Sequence, residues 1–223
     1  MTKTRVDTAA VSTTKATFIF GGASSWKDFE YLEADASEWI SNEIINCVGC
    51  TSGHQKGCAV TIPEDDEILL IGGYGSGTEK RILSFNVTNH TFKTLTMELQ
   101  QGRQDHRCSI IPGTRNIIVT GGKQAKEYTA LNSTEIINVD AKEVITSTDM
   151  DMIEARAEHG IAIVNIDNQD RIVVFGGWVG DQKAINNTEM YNAQTKKWES
   201  ISKRIKLSEA KWGFGYMTIK SQA

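Results

Sequence analysis

A Gly-Gly doublet closes four separate apolar runs of this chain. They are Phe18-Ile19-Phe20-Gly21-Gly22, Leu69-Leu70-Ile71-Gly72-Gly73, Ile118-Val119-Thr120-Gly121-Gly122 and Val174-Phe175-Gly176-Gly177. The steps between first glycines are 51, 49 and 55 residues. A period near fifty means one structural unit copied along the chain, each copy burying its apolar face against its neighbours. That single fact narrows the fold more than any other residue pattern in the sequence.

The fourth copy reads most clearly. Gly160-Ile161-Ala162-Ile163-Val164 and Arg171-Ile172-Val173-Val174-Phe175 are short, β-branched runs, and Asp167-Asn168-Gln169-Asp170 between them is turn chemistry. A polar, loop-like stretch from Trp178 to Asn187 follows. Thr188-Glu189-Met190-Tyr191-Asn192 and Lys197-Trp198-Glu199-Ser200-Ile201 then alternate polar and apolar around a turn at Gln194-Thr195-Lys196. The unit is four short antiparallel strands. Tyr191 and Trp198 are seven residues apart, a spacing kept by Phe85 and Phe92, by Ile137 and Val144, and by Leu32 and Trp39. Residues Ser37 to Ile45 fall where a fourth strand belongs. Glycine at a strand end permits positive φ and close backbone approach, so the eight doublet glycines are assigned to architecture.

Of the 223 residues, 39% are hydrophobic and 23% charged, which suits a globular domain with a core. The formal net charge of −4 disfavours a nucleic-acid binder, which needs a basic stripe. No run of eighteen apolar residues is present to span a membrane. Met1 to Asp7 carries no apolar leader core, so a cytoplasmic location is expected, with a secreted one as the alternative for a processed piece. One domain is expected over residues 16–219, with residues 1–15 disordered.

The repeats resemble those of the kelch family: an apolar run, a Gly-Gly doublet, an aromatic pair, and an Arg and a His ahead of the first strand. Arg156, His159, Gly176-Gly177, Tyr191 and Trp198 carry the whole pattern, and Arg103, His106 and Gly121-Gly122 carry most of it. Phe85 and Phe92 hold the aromatic positions of the second copy; Tyr31 or Leu32 with Trp39 hold those of the first. The resemblance implies an all-β propeller of four blades, each of four antiparallel strands. Glu209-Ala210-Lys211-Trp212-Gly213-Phe214 resembles the approach to a first strand. A C-terminal strand near 214–219 is therefore expected to complete the blade begun at residue 17.

The resemblance also implies a protein-interaction module, a scaffold or adaptor, rather than an enzyme. Its partner-binding face would be built from the loops before the first strands and after the doublets. Arg103, Arg107, Arg156 and Lys211 map to the former, Trp26, Tyr74, Lys123 and Trp178 to the latter. Aromatic and basic loop residues suit an acidic or extended protein segment, because guanidinium forks onto carboxylates and aromatic rings supply contact area. The alternatives are a carbohydrate-binding or small enzymatic propeller with a site at the central channel, and a piece of a larger modular kelch protein. No catalytic constellation, cofactor motif or metal-ligand set is evident. His106 and His159 recur in register, as structural hydrogen bonders do. Cys47-Val48-Gly49-Cys50 lacks the further ligands of a zinc site, and Cys58 and Cys108 hold equivalent positions. Free thiols are expected, with a Cys47–Cys50 or similar loop disulfide as the alternative in an oxidising setting. Asn86, Asn89, Asn132 and Asn186 each begin an Asn-x-Ser/Thr acceptor pattern.

Overall fold

The computed structural model describes residues 1–22, 28–43, 54–62, 65–75, 79–124 and 129–215. The chain forms two compact units, Met1–Asp105 and His106–Ala223. Each contains two four-stranded antiparallel sheets, one per repeat.

In the first unit, β1 (Ala9–Ser12), β2 (Ala16–Phe20), β3 (Asp28–Glu33) and β4 (Ile40–Glu43) pair in that order. The second sheet is β5 (Cys58–Ile62), β6 (Glu67–Ile71), β7 (Ile82–Asn86) and β8 (Phe92–Thr94). In the second unit, β9 (Arg107–Ile110), β10 (Asn116–Thr120), β11 (Thr134–Asn138) and β12 (Glu143–Thr146) form the third sheet. The fourth follows from β13 (Gly160–Ile166) and β14 (Gln169–Phe175). A small ribbon, β15 (Trp178–Gly180) with β16 (Lys183–Ala184), is interposed, and the sheet is completed by β17 (Thr188–Asn192) and β18 (Lys197–Ser200). This is the expected all-β architecture of four-stranded blades.

Four expectations are corrected. Residues 1–15 are not outside the fold: Ala9–Ser12 is a strand, pairing Ala9 with Phe20 through Ser12 with Thr17. That strand occupies the edge of the first sheet where a C-terminal strand was expected; residues 216–223 lie outside the described residues. The aromatic position of the first sheet pairs Tyr31 with Ile40, not with Trp39, because the β3–β4 turn is longer than its counterparts. The stretch after Trp178 is not all loop, since β15 and β16 pair there. The β13–β14 hairpin is also tighter than expected. Its strands run on to Ile166 and Gln169, and Asp167 (φ +54°) and Asn168 (φ +59°) form a two-residue turn. Positive φ at both residues is what matches a turn to the strand twist.

Each unit has its own core. Phe18, Phe20, Phe29, Ile68, Leu70, Leu83 and Phe85 fill the space between the first two sheets. The Phe85 ring meets Phe18 edge-on at 5.3 Å and Phe20 at 5.1 Å, arrangements the ring quadrupole favours. In the second unit Ile118, Ile136, Met152, Ile161, Val174, Tyr191 and Trp198 cluster. Tyr191 pairs across the strands with Trp198, whose indole N–H donates to Thr134 Oγ1 at 3.1 Å. The doublets take one conformation four times, with φ between +58° and +63° at the first glycine and between +91° and +116° at the second.

Candidate interaction face

In every sheet the second strand ends at the doublet and the third begins beside it, so the loops at that end are the post-doublet loop and the approach to the first strand. A repeated hydrogen bond joins the two. The second glycine of each doublet donates its N–H to a carbonyl of the following approach: Gly22 to His54 (3.1 Å), Gly73 to Arg103 (3.0 Å), Gly122 to Arg156 (2.9 Å) and Gly177 to Lys211 (2.9 Å). Two residues further on, Lys56, Asp105, Glu158 and Gly213 all sit at positive φ, as Asp7 does in the first repeat. A Cβ at Gly121 would lie 2.2 Å from the Arg156 carbonyl oxygen, which is why that doublet tolerates no side chain.

The arginine of the approach points inward. Arg156 is fully buried, and its guanidinium donates to the carbonyls of Gly176 (2.8 Å) and Asn187 (3.2 Å) and to the Glu189 carboxylate (2.5 Å). Glu189 in turn accepts the backbone N–H groups of Ile153 (2.7 Å) and Glu154 (3.0 Å). Arg5 repeats this in the first unit. It donates to the Gly21 carbonyl at 2.7 Å and to Glu30 at 3.1 Å, while Glu30 accepts from the backbone of Thr2 (2.9 Å) and Lys3 (3.1 Å). Burial opposes ionisation of Glu30, but the bonds from Thr2 and Arg5 outweigh it and hold the carboxyl below its ordinary pKa.

The second repeat lacks the pair. His54 stands in the arginine position and Leu83 in the carboxylate position. The imidazole of His54 lies over Gly57, where a Cβ would be 2.3 Å from its Cε1. Burial, then the Arg81 charge, pull the His54 pKa down to about 4, so it is neutral near pH 7. His159 is likewise buried, within 2.9 Å of Thr120 Oγ1. Burial, then Arg107 and Arg156, push its pKa well below the ordinary value. A neutral, enclosed imidazole suits the structural role expected of it.

These facts redistribute the expected face. Arg103 and Arg156 are buried and leave it. Arg107 is half-buried, with Nε on the His159 carbonyl (2.8 Å) and a terminal nitrogen on that of His106 (3.1 Å). Trp26 lies outside the described residues. Tyr74 is 51% exposed, and Lys211 is exposed. Trp178 and Lys123 are half-buried and together: Lys123 Nζ lies 5.2 Å from the Trp178 ring centre and 3.8 Å from Glu158. In the first unit Lys56 lies 3.9 Å from both Asp7 and Asp105.

The sequence reading missed exposed apolar side chains in the same loops: Val6 in the first unit, and Ile153 and Trp212 in the second. Their signal was a lone large apolar residue within a polar approach. Among the described residues no cluster of three metal-ligating side chains forms. The opposite end of the first unit holds an open cavity of about 690 Å³, lined in part by Lys15, Phe18, Tyr31, Glu33, Asp35 and His90. Cys58 and Cys108 are both disulfide-bonded, correcting the expected free thiols; Cys47 and Cys50 lie outside the described residues.

The solved structure of YjhT is similar, with a TM-score of 0.72 at 12% identity over 95% of this chain and 68% of that one. At that identity the likeness speaks for the fold. No curated protein sequence matches the chain. The family model of the KLHDC2/KLHL20/DRC7 Kelch-repeats domain matches residues 7–222, including the strand Ala9–Ser12. With four doublets in one conformation, a buried arginine–carboxylate pair beside the first and the fourth, and a family model that spans residues 7–222, this chain belongs to the kelch-repeat family.

Proposed function

We propose that the chain is a protein-interaction module that takes a partner segment on its doublet-end loops. One observation supports this most. Val6 and Tyr74 in the first unit, and Ile153 and Trp212 in the second, are large apolar groups left in solvent in each unit's approach and post-doublet loops. Exposed apolar groups gathered at one end and rimmed by polar residues, rather than scattered singly, mark interaction sites. Aromatic rings such as Tyr74, Trp178 and Trp212 supply contact area at small entropy cost. Lys123 and Lys211 beside the tryptophans favour carboxylates in the partner, so an acidic segment with an apolar anchor fits best.

The test is selection from a random peptide display library. Trp178→Ala with Trp212→Ala, and separately Lys211→Glu, are compared with Lys142→Ala and Lys196→Ala at the other ends of the strands. The expected result is a family of peptides rich in Asp or Glu around an apolar residue, whose binding falls at least tenfold with the face variants and is unchanged with the controls. Equal loss from both sets, or selected peptides indifferent to all of them, would overturn the assignment.

A further inference from the structure

We infer that Asn89 is an N-glycan acceptor and that the chain is built for an oxidising, glycosylating compartment. Four acceptor patterns are present, and the fold separates them. Asn132 and Asn186 each commit the amide nitrogen, Nδ2, to a carbonyl within the fold: Met152 for the first and Leu207 for the second, both at 3.3 Å. A glycan is attached through that nitrogen. Asn86 is half-buried, and its Oδ1 fixes the turn by accepting the backbone N–H groups of Thr88 (3.0 Å) and Asn89 (2.9 Å).

Asn89 differs on each point. It is exposed at the tip of the β7–β8 turn, before His90 at φ +57°. Its Oδ1 accepts from the backbone N–H of Thr91 (3.2 Å) and from the Thr91 hydroxyl (2.6 Å), the residue that completes the acceptor pattern. Nδ2 takes no part in these bonds. A glycan there leaves from a turn tip at the end of the sheet opposite the doublet, clear of the proposed face of that unit.

The second observation is independent. Cys58 and Cys108 are disulfide-bonded, and such bonds persist in the compartments where asparagine is glycosylated. The transfer balances with a lipid-linked oligosaccharide diphosphate as donor. Nδ2 forms a bond to the sugar's anomeric carbon, the bond from that carbon to the diphosphate oxygen breaks, the lipid diphosphate leaves, and Nδ2 loses one proton.

The test places the full chain behind a cleavable secretory leader in human cells. Peptides from whole-cell lysate are treated with a glycan-releasing amidase in oxygen-18 water, so chains that fail to fold are still counted. Label at position 89 is expected, with loss of one glycan's mobility shift in both Asn89→Gln and Thr91→Ala. Alkylation before reduction should leave Cys58 and Cys108 unmodified. Absence of label at position 89 while a co-expressed glycoprotein is fully occupied would overturn the inference. So would occupancy at Asn132 or Asn186 with Asn89 empty, or ready alkylation of Cys58 and Cys108.

Discussion

Arg156 shows how a conspicuous loop residue turns out to hold the loop together. From sequence, an arginine repeated before a first strand serves either a partner or the fold. Burial decides: its guanidinium is enclosed by two carbonyls and Glu189, and Glu189 is itself only 1% exposed. Removing one member strands a buried charge, which costs about 3–5 kcal/mol. Arg156→Ala should therefore lower the melting temperature sharply, as followed by circular dichroism. The second repeat supplies the remedy, because His54 and Leu83 replace the arginine and the carboxylate together. Arg156→His with Glu189→Leu should be less destabilised than either single variant. A double variant no better than the sum of its parts would show the pair is not coupled.

The buried imidazoles add a pH dependence at the same scale. His54 has its pKa lowered from 6.5 to about 4, and that of His159 is also lowered. The unfolded chain then binds more protons than the folded one below pH 6.5, so stability falls as the pH drops through the window from about 6.5 to 4. Each group contributes at most about 1.4 kcal/mol per pH unit. Urea midpoints measured across that window should decline, and His54→Gln with His159→Gln should flatten the slope. Equal slopes in the variant and the parent would remove these histidines as the cause.

Elements were legible where local chemistry and repetition agreed. The doublets, the β13–β14 hairpin and the Tyr191–Trp198 cross-strand pair all follow from turn residues, alternation and a shared register. Trp198→Ala removes a ring that packs between the third and fourth sheets and bonds Thr134, so a loss of roughly 3–5 kcal/mol is expected in chemical denaturation. An unchanged midpoint would refute its place in the core. What stayed hidden had weak local signals. Ala9-Ala10-Val11-Ser12 is short and small, and Thr8 stands where the third and fourth repeats have histidine, so only Arg5, four residues ahead of the strand, marks the register. The first aromatic pair was misplaced because a longer β3–β4 turn shifts Ile40 opposite Tyr31. The face was half legible: sequence names arginines, but only the fold shows which way they point.

At the scale of the whole chain, the N-terminal strand separates two ways of completing the first sheet. Ala9–Ser12 pairs along β2, and Arg5 just before it neutralises Glu30, a fully buried carboxylate. A chain begun at residue 13 loses both. Glu30 keeps its desolvation cost without its partner, and the edge of β2, with Phe18 and Phe20 buried, loses its backbone partners. An unpaired apolar edge recruits other chains. The truncated protein should melt well below the full chain and scatter light in proportion to its concentration. Arg5→Ala in the full chain should reproduce the loss of stability without the scattering, because β1 still covers the edge. Had a C-terminal strand completed this sheet, truncation at residue 13 would leave both the melting temperature and the monomeric state as they were.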